Sequence, residues 1–76
     1  MKDLRYPFVI YPAAEGGYVA EVPALRGCLA QGEDLEGTLE ELSRVTELWI
    51  ETARNHGESL PNPEAEVTKV KERLAA

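Results

Sequence analysis

The chain has 76 residues, of which 43% are hydrophobic and 29% are charged. So short a chain supports one small core and excludes a multidomain protein, while its apolar content excludes a disordered class. The net charge of −6 argues against non-specific attraction to nucleic acid, which requires a positive surface. A core this small is marginally stable, and self-association would relieve that.

A β-hairpin is predicted at the start of the chain. Residues 4–11 alternate in the manner of a strand, with Phe8 and Ile10 on one face and Val9 and Tyr11 on the other. Residues 12–17 form the turn, since paired glycines permit positive φ. Residues 18–22 resume the alternation and place Glu21 on the face opposite their first residue.

A third strand is predicted directly after the hairpin. Pro23 ends the second strand, residues 24–27 form a turn, and residues 28–31 have the short apolar character of a strand. Connections this short require antiparallel neighbours, because a parallel pairing needs a long crossover. The pattern predicts a three-stranded antiparallel meander.

A long amphipathic helix is predicted over residues 35–56. Asp34 can cap its first turn, and Gly57 lies where a left-handed residue ends helices. Its apolar residues recur at helical spacing, namely Leu35, Leu39, Leu42, Val45, Leu48, Trp49 and Ala53. We expect this face to cover the meander, which makes an α+β fold.

The last segment, residues 63–76, favours a short helix. Asn62 can cap it, and acidic residues come early and basic residues late. Residues 66–70 also suit a fourth strand of the meander, and propensity does not separate the two. The basic cluster of Lys69, Lys71 and Arg73 is too small to indicate specific nucleic-acid recognition.

No catalytic set is predicted. Cys28 is the only thiol and His56 the only histidine, and nothing in the sequence brings them together, so both are interpreted as structural. A metal-dependent hydrolase would need Glu15, Glu21 and Glu33 to converge, yet they lie on different faces or turns. We expect no metal, no cofactor and no enzymatic activity.

The lone cysteine excludes an intrachain disulfide and fits a reducing compartment. The start of the chain, from Met1, has no apolar run behind its basic residues, and nowhere do about 18 apolar residues follow one another. These features predict a soluble cytoplasmic protein.

Four glutamates form a row of like charge on the predicted helix: Glu36, Glu40, Glu47 and Glu51. Such a row is typical of a solvated outer face, and it is also what a docking strip for a basic partner requires. The sequence leaves both interpretations open.

A combination of motifs resembles the HicB-type antitoxin family. The motifs are Tyr6-Pro7-Phe8-Val9-Ile10, then Gly16-Gly17-Tyr18-Val19-Ala20-Glu21-Val22-Pro23, then Leu25-Arg26-Gly27-Cys28, then Gln31-Gly32 before Leu35-Glu36. The resemblance implies a partial ribonuclease-H-like fold without its catalytic role, in a domain over residues 1–61 with an extension over 62–76.

The resemblance also implies a partner, a HicA-type toxin, which is a small basic ribonuclease that cuts messenger RNA. The antitoxin binds this toxin and occludes its active site. Partner-binding residues are expected to include Tyr18, Glu21 and Glu33, with Glu36 and Glu40 as electrostatic support. A homodimer or higher homo-oligomer is expected.

Longer family members add a DNA-binding module, but the thirteen residues after Pro63 are too few for a helix-turn-helix, so direct DNA binding is not expected. Two alternatives stay open beside the antitoxin: a regulatory or oligomeric domain of the same family with no toxin partner, and a metal-dependent hydrolase. The first alternative predicts no neighbouring reading frame for a small basic protein, which an antitoxin requires. The second predicts that the protein binds a metal ion, which an antitoxin does not require.

Overall fold

The fold is a three-stranded sheet followed by two helices, in a computed structural model that describes residues 4–75. The elements are β1 Val9–Pro12, β2 Tyr18–Glu21, β3 Leu29–Gly32, α1 Leu35–Asn55 and α2 Pro63–Ala75. The α+β prediction is confirmed, and the last segment is a helix rather than a fourth strand. The start of the chain from Met1, which entered the prediction of a soluble cytoplasmic protein, lies outside the described residues, as do residues 2–3 and 76.

The sheet is an antiparallel meander in the order β1-β2-β3. Two cross-strand rows set its register: Ile10 pairs with Ala20 and Ala20 with Ala30, while Val9 pairs with Glu21 and Glu21 with Leu29. Neighbouring rows point to opposite faces of the sheet. The meander predicted from the short connections is therefore confirmed.

The predicted strand bounds were partly wrong. The first strand begins at Val9 instead of residue 4, because Pro7 has no backbone donor for a ladder. The third strand covers Leu29–Gly32 rather than residues 28–31. Cys28 belongs to the preceding turn, where its backbone N–H donates to the Leu25 carbonyl at 2.9 Å.

The hairpin turn depends on glycine at one position. Gly17 has a φ of 77°, and a Cβ added there would lie 2.5 Å from the carbonyl oxygen of Gly32. Both the left-handed backbone and the close approach of β3 exclude a larger residue. The turn motif thus positions β3 against β2.

Helix α1 begins and ends close to the predicted residues. The Asp34 carboxylate accepts a 2.7 Å hydrogen bond from the backbone N–H of Gly37, which satisfies one free donor of the first turn. His56 is the C-cap, so the helix ends one residue before the predicted bound. Gly57 follows with a φ of 70° and closes the helix.

The buried face of α1 differs from the predicted apolar stripe. Leu35 and Leu48 are exposed, whereas Thr38, Ser43 and Thr46 are buried. The cause is the close approach of the helix to β3: a Cβ added at Gly32 would lie 2.9 Å from the backbone nitrogen of Thr38. Thr38 and Thr46 lie one turn before and one turn after the buried Leu42 on the same face of the helix, so the close approach buries two threonines that a pattern based on hydrophobicity alone leaves out of the stripe.

The buried threonine hydroxyls have partners. Thr38 donates to the Asp34 carbonyl at 2.7 Å, and the Thr46 oxygen lies 3.3 Å from the sulfur of Cys28. A satisfied hydroxyl removes most of the penalty for burying a polar group. The apolar core around them consists of Tyr6, Ala20, Val22, Leu25, Cys28, Ala30 and Leu42.

Helix α2 is capped but stands apart from the body. Asn62 accepts a 3.0 Å hydrogen bond from the backbone N–H of Ala65, as its predicted capping role requires. Among residues 4–75, α2 buries no side chain and makes no close backbone approach to α1 or to any strand. No helix in this part of the chain is long and apolar enough to cross a membrane.

Candidate protein-binding surface

The two faces of the sheet have different surroundings. The covered face carries Ile10, Tyr18, Ala20, Ala30 and Gly32 and packs against α1. The open face, which points away from α1, carries Val9, Tyr11, Val19, Glu21, Leu29 and Gln31. α1 packs on β2 and β3 from one side only, and α2 approaches neither.

The open face exposes large apolar side chains. Val9 is 49%, Tyr11 43% and Leu29 46% exposed, and they belong to neighbouring rows of one sheet. Single exposed apolar residues are ordinary, but a contiguous apolar patch on a small protein marks an interaction surface. These side chains make no contribution to the buried core, which lies on the other side of the sheet.

A tyrosine–glutamate pair lies at the centre of the open face. The Tyr11 hydroxyl donates to Oε2 of Glu21 at 2.5 Å, and this hydrogen bond is the main cause that raises the pKa of Tyr11 above its ordinary value. The bond orients the carboxylate. Since a carboxylate accepts about four hydrogen bonds, Glu21 keeps acceptor capacity for a cationic group of another molecule.

The sequence-predicted binding residues fall in separate places. Glu21 lies on the open face, whereas Tyr18 is half-buried at the edge of the covered face. Glu33 is exposed in the loop before α1, and Glu36 and Glu40 are exposed on its first turns. The structure thus brings Glu21 together with Tyr11, and not with the other four.

Sequence reasoning missed Val9, Tyr11 and Leu29 as candidate binding residues. The sequence did contain an indication, because β1 has apolar residues on both of its faces. A strand with one face in solvent ordinarily has apolar residues on the other face only. Which set faces solvent depends on the side that α1 covers, and this depends on the tertiary packing.

The residues considered for catalysis lie in unrelated environments. Cys28 is buried beside Thr46, while His56 is exposed, with its Nδ1 3.9 Å from Glu58. Glu15 is exposed in the hairpin turn. Within residues 4–75, no three side chains of the metal-binding types form a cluster. The non-enzymatic interpretation stays a prediction.

The acidic row of α1 is exposed at each of its four positions. Beside it, Arg44 pairs with Glu41 at 2.7 Å, one turn apart on the helix surface. An exposed pair of this kind adds little stability. The row therefore gives the outer side of α1 a negative field, which acts on approaching charged molecules.

The fold and the open face define a class, a small α+β domain built from a meander and one covering helix. A protein-family model described as UPF0150-like matches residues 8–61. The chain therefore belongs to the UPF0150 family.

Two relatives illustrate the similarity. The chain is 63% identical over 73 residues to the UPF0150 protein ssl0259 of Synechocystis sp., covering 96% of this chain and 100% of that protein. It is 33% identical over 63 residues to the UPF0150 protein Ta0767 of Thermoplasma acidophilum, covering 83% and 91%. No solved structure gave a significant match.

Proposed function

We propose that this protein is the antitoxin of a type II toxin–antitoxin pair and neutralises a HicA-type ribonuclease by covering its active site. The observation that carries the proposal is the open face, on which exposed Val9, Tyr11 and Leu29 surround Glu21. The motifs that resemble HicB-type antitoxins build this face, since they supply β1, β2 and the turn before β3.

The composition of the open face suits a protein partner. Interfaces combine an apolar centre with aromatic residues and a few oriented polar groups. Leu29 and Val9 supply apolar area, and Tyr11 supplies an aromatic ring whose hydroxyl already has a partner. Docking then leaves no tyrosine donor without a hydrogen bond, so the desolvation penalty is small.

The charge of the chain suits a basic partner. A ribonuclease binds the RNA backbone with lysine and arginine side chains, and Glu21 can accept a hydrogen bond from such a side chain. The exposed Glu36 and Glu40 lie outside the open face, so they act at long range and accelerate encounter. Inhibition follows because the domain occupies the surface that RNA needs.

Co-expression tests the proposal. The neighbouring reading frame for a small basic protein is induced with and without this chain, and cell growth and intact messenger RNA are measured. We expect the chain to restore both and to co-purify with the basic protein. Persistent toxicity despite soluble expression of the chain would contradict the proposal.

A pair of charge-matched variants locates the effect on the sheet. Leu29→Asp places a charge on the open face and is expected to abolish rescue, because a carboxylate would be buried in the interface without a partner. Asn55→Asp adds the same charge at the exposed end of α1 and is expected to rescue like the natural chain. Equal rescue by both variants would exclude the open face as the binding surface.

The alternative is an oligomeric or regulatory domain with no toxin, and one observation favours its oligomeric part. Helix α2 exposes Leu74 and Val70 and has no partner among the described elements, as in a chain that associates with itself. Under this alternative the genome carries no neighbouring basic reading frame, and no toxicity exists to be rescued.

A further inference from the structure

Two apolar surfaces are left uncovered among residues 4–75, and both lie outside the open face. The first is the stripe along α2 formed by Val67, Val70 and Leu74. Val67 is half-buried and lines a depression with Arg5, whereas Val70 is 36% and Leu74 80% exposed. The second, which we call the α1 groove, is a depression of about 390 Å³ lined by Val45, Leu48, Trp49, Thr52, Ala53 and Glu58. Leu48 in this groove is 63% exposed.

A helix like α2 needs a partner to be stable. It has 13 residues, and isolated helices of fewer than about 12–15 residues are marginal in water. Its capping by Asn62 and its Glu66–Lys69 pair at 3.2 Å add only small local contributions. Burial of the apolar stripe is the remaining source of stability.

The connection between the helices keeps α2 away from its own groove. The Tyr6 hydroxyl donates to the Pro61 carbonyl at 2.6 Å and so attaches the linker to the body just before α2 begins. Pro61 and Pro63 each restrict the backbone there. In the resulting arrangement α2 approaches no part of its own α1, so a second molecule has to supply the groove.

The two surfaces are complementary in charge. In its second half, α2 carries Lys71 and Arg73 on either side of its stripe, while Lys69 and Glu72 lie on the opposite side of the helix. The groove contains Glu58, and Glu51 lies one helical turn from Leu48 on the exposed surface of α1. An apolar contact bordered by opposite charges is the ordinary composition of an interface with a polar rim.

We propose that the chain forms a two-fold dimer in which the α2 helix of each copy lies in the α1 groove of the other. Each molecule supplies one helix and one groove, so the contact forms twice and the assembly closes without leaving a free stripe. Neither the stripe nor the groove includes a residue of the open face. The dimer therefore does not depend on the proposed toxin binding, and either can fail alone.

Cross-linking between two different variants tests the pairing of α2 with the groove in a second molecule. Leu48→Cys chains are mixed with tagged Val70→Cys chains and treated with a short bismaleimide, and the cross-linked species are identified by mass. Both sites are solvent-exposed, so the fold is retained. We expect a cross-linked heterodimer, and little reaction of the natural chain because Cys28 is buried.

Matched controls decide between the modes of association. Arg54→Cys lies nine residues after Val45, or about two and a half helical turns, and is therefore on the opposite side of α1. Its mixture with Val70→Cys is expected to stay uncross-linked. Equal yields from the Arg54→Cys and Leu48→Cys mixtures would overturn the proposal. Preferential cross-linking of Val70→Cys with itself would also overturn it, in favour of α2–α2 pairing.

Sedimentation equilibrium of the natural chain provides the independent measurement. We expect a dimer whose dissociation constant rises at least about tenfold in Val70→Asp, since a charge would enter the apolar contact. Ala65→Asp adds the same charge to the exposed side of the same helix and is expected to leave the dimer unchanged. A monomer at all concentrations, or equal effects of both variants, would overturn the proposal.

Discussion

The two faces of the sheet share the same three strands but have opposite chemistry. On the covered face, Ala20 of β2 and Ala30 of β3 lie beneath α1, and Ala20 is fully buried. On the open face, the same two strands carry the larger side chains of Glu21, which is half-buried, and Leu29, which is 46% exposed. On β2 and β3, these larger side chains are therefore more exposed than the two alanines of the covered face.

The covered face is small because the helix approaches closely. Alanine and glycine on β2 and β3 leave room for the backbone of α1 near Gly32, so stability there is sensitive to added volume. Nothing in the packing of the body explains the apolar residues of the open face. Stability thus resides on one face of the sheet, and binding is proposed for the other.

The largest expected effect of a substitution is the loss of core volume under the helix. Leu42→Ala removes a fully buried side chain and is expected to destabilise the fold by about 2–5 kcal/mol, most of the stability available to so small a domain. Leu29→Ala removes the same atoms from the open face and is expected to cost less than about 1 kcal/mol. Urea unfolding followed by circular dichroism measures both, and similar losses would remove the distinction between the faces.

A second, smaller effect is expected from adding volume between β3 and α1. In Gly32→Ala the new methyl would lie 2.5 Å from Oγ1 and 2.9 Å from the backbone nitrogen of Thr38. The helix therefore has to shift, which is expected to lower the free energy of unfolding by about 1–3 kcal/mol. Gln31→Ala, one residue earlier on the open face, is expected to change stability by less than about 0.5 kcal/mol. Thermal unfolding measures the stability of the two variants. A melting temperature of Gly32→Ala equal to that of the natural chain would contradict the expected loss.

The smallest expected effect is on the titration of Tyr11. Its hydrogen bond to Glu21 raises the pKa above the ordinary 10.0, so the phenol holds its proton in the folded chain at a pH where the unfolded chain releases it. The contribution of the bond to folding is complete below pH 10 and is lost as the pH rises through the raised pKa. The difference in ultraviolet titration between the natural chain and Tyr11→Phe isolates this group.

The matched variant for this titration is Glu21→Gln, in which the carboxylate is absent. We expect the pKa of Tyr11 to fall toward 10.0, because the hydrogen bond and the charge of Glu21 both raise it. If the titration of Tyr11 is the same in the natural chain and in Glu21→Gln, the two side chains do not form a pair on the open face.

Local signals were sufficient to predict the elements. The cap at Asp34, the closing glycine at Gly57 and the cap at Asn62 each act within one turn of the chain, so their roles could be inferred from neighbouring residues alone. Pro7 shows the limit of this reasoning. It lacks the backbone donor that a strand ladder needs, yet where the strand begins depends on pairing with β2.

The burial of α1 could not be predicted, because it depends on the shape of the surface beneath it. A threonine and a leucine differ in hydrophobicity, but at Thr38 the short distance to Gly32 decides which side is buried. The same holds for the candidate site. Val9 and Tyr11 were assigned correctly to one face of a strand. That this face is exposed to solvent could be known only from the position of the helix.

Calorimetric titration of the neighbouring basic protein into three forms of this chain tests the central claim directly. The natural chain and Asn55→Asp are expected to bind with equal affinity. Leu29→Asp is expected to bind at least about 30-fold more weakly, because residues near the centre of an interface contribute most of the binding free energy. Circular dichroism confirms that each form is folded. Equal affinity of all three folded forms, or no binding by the natural chain, would contradict the assignment of the open face as the toxin-binding surface.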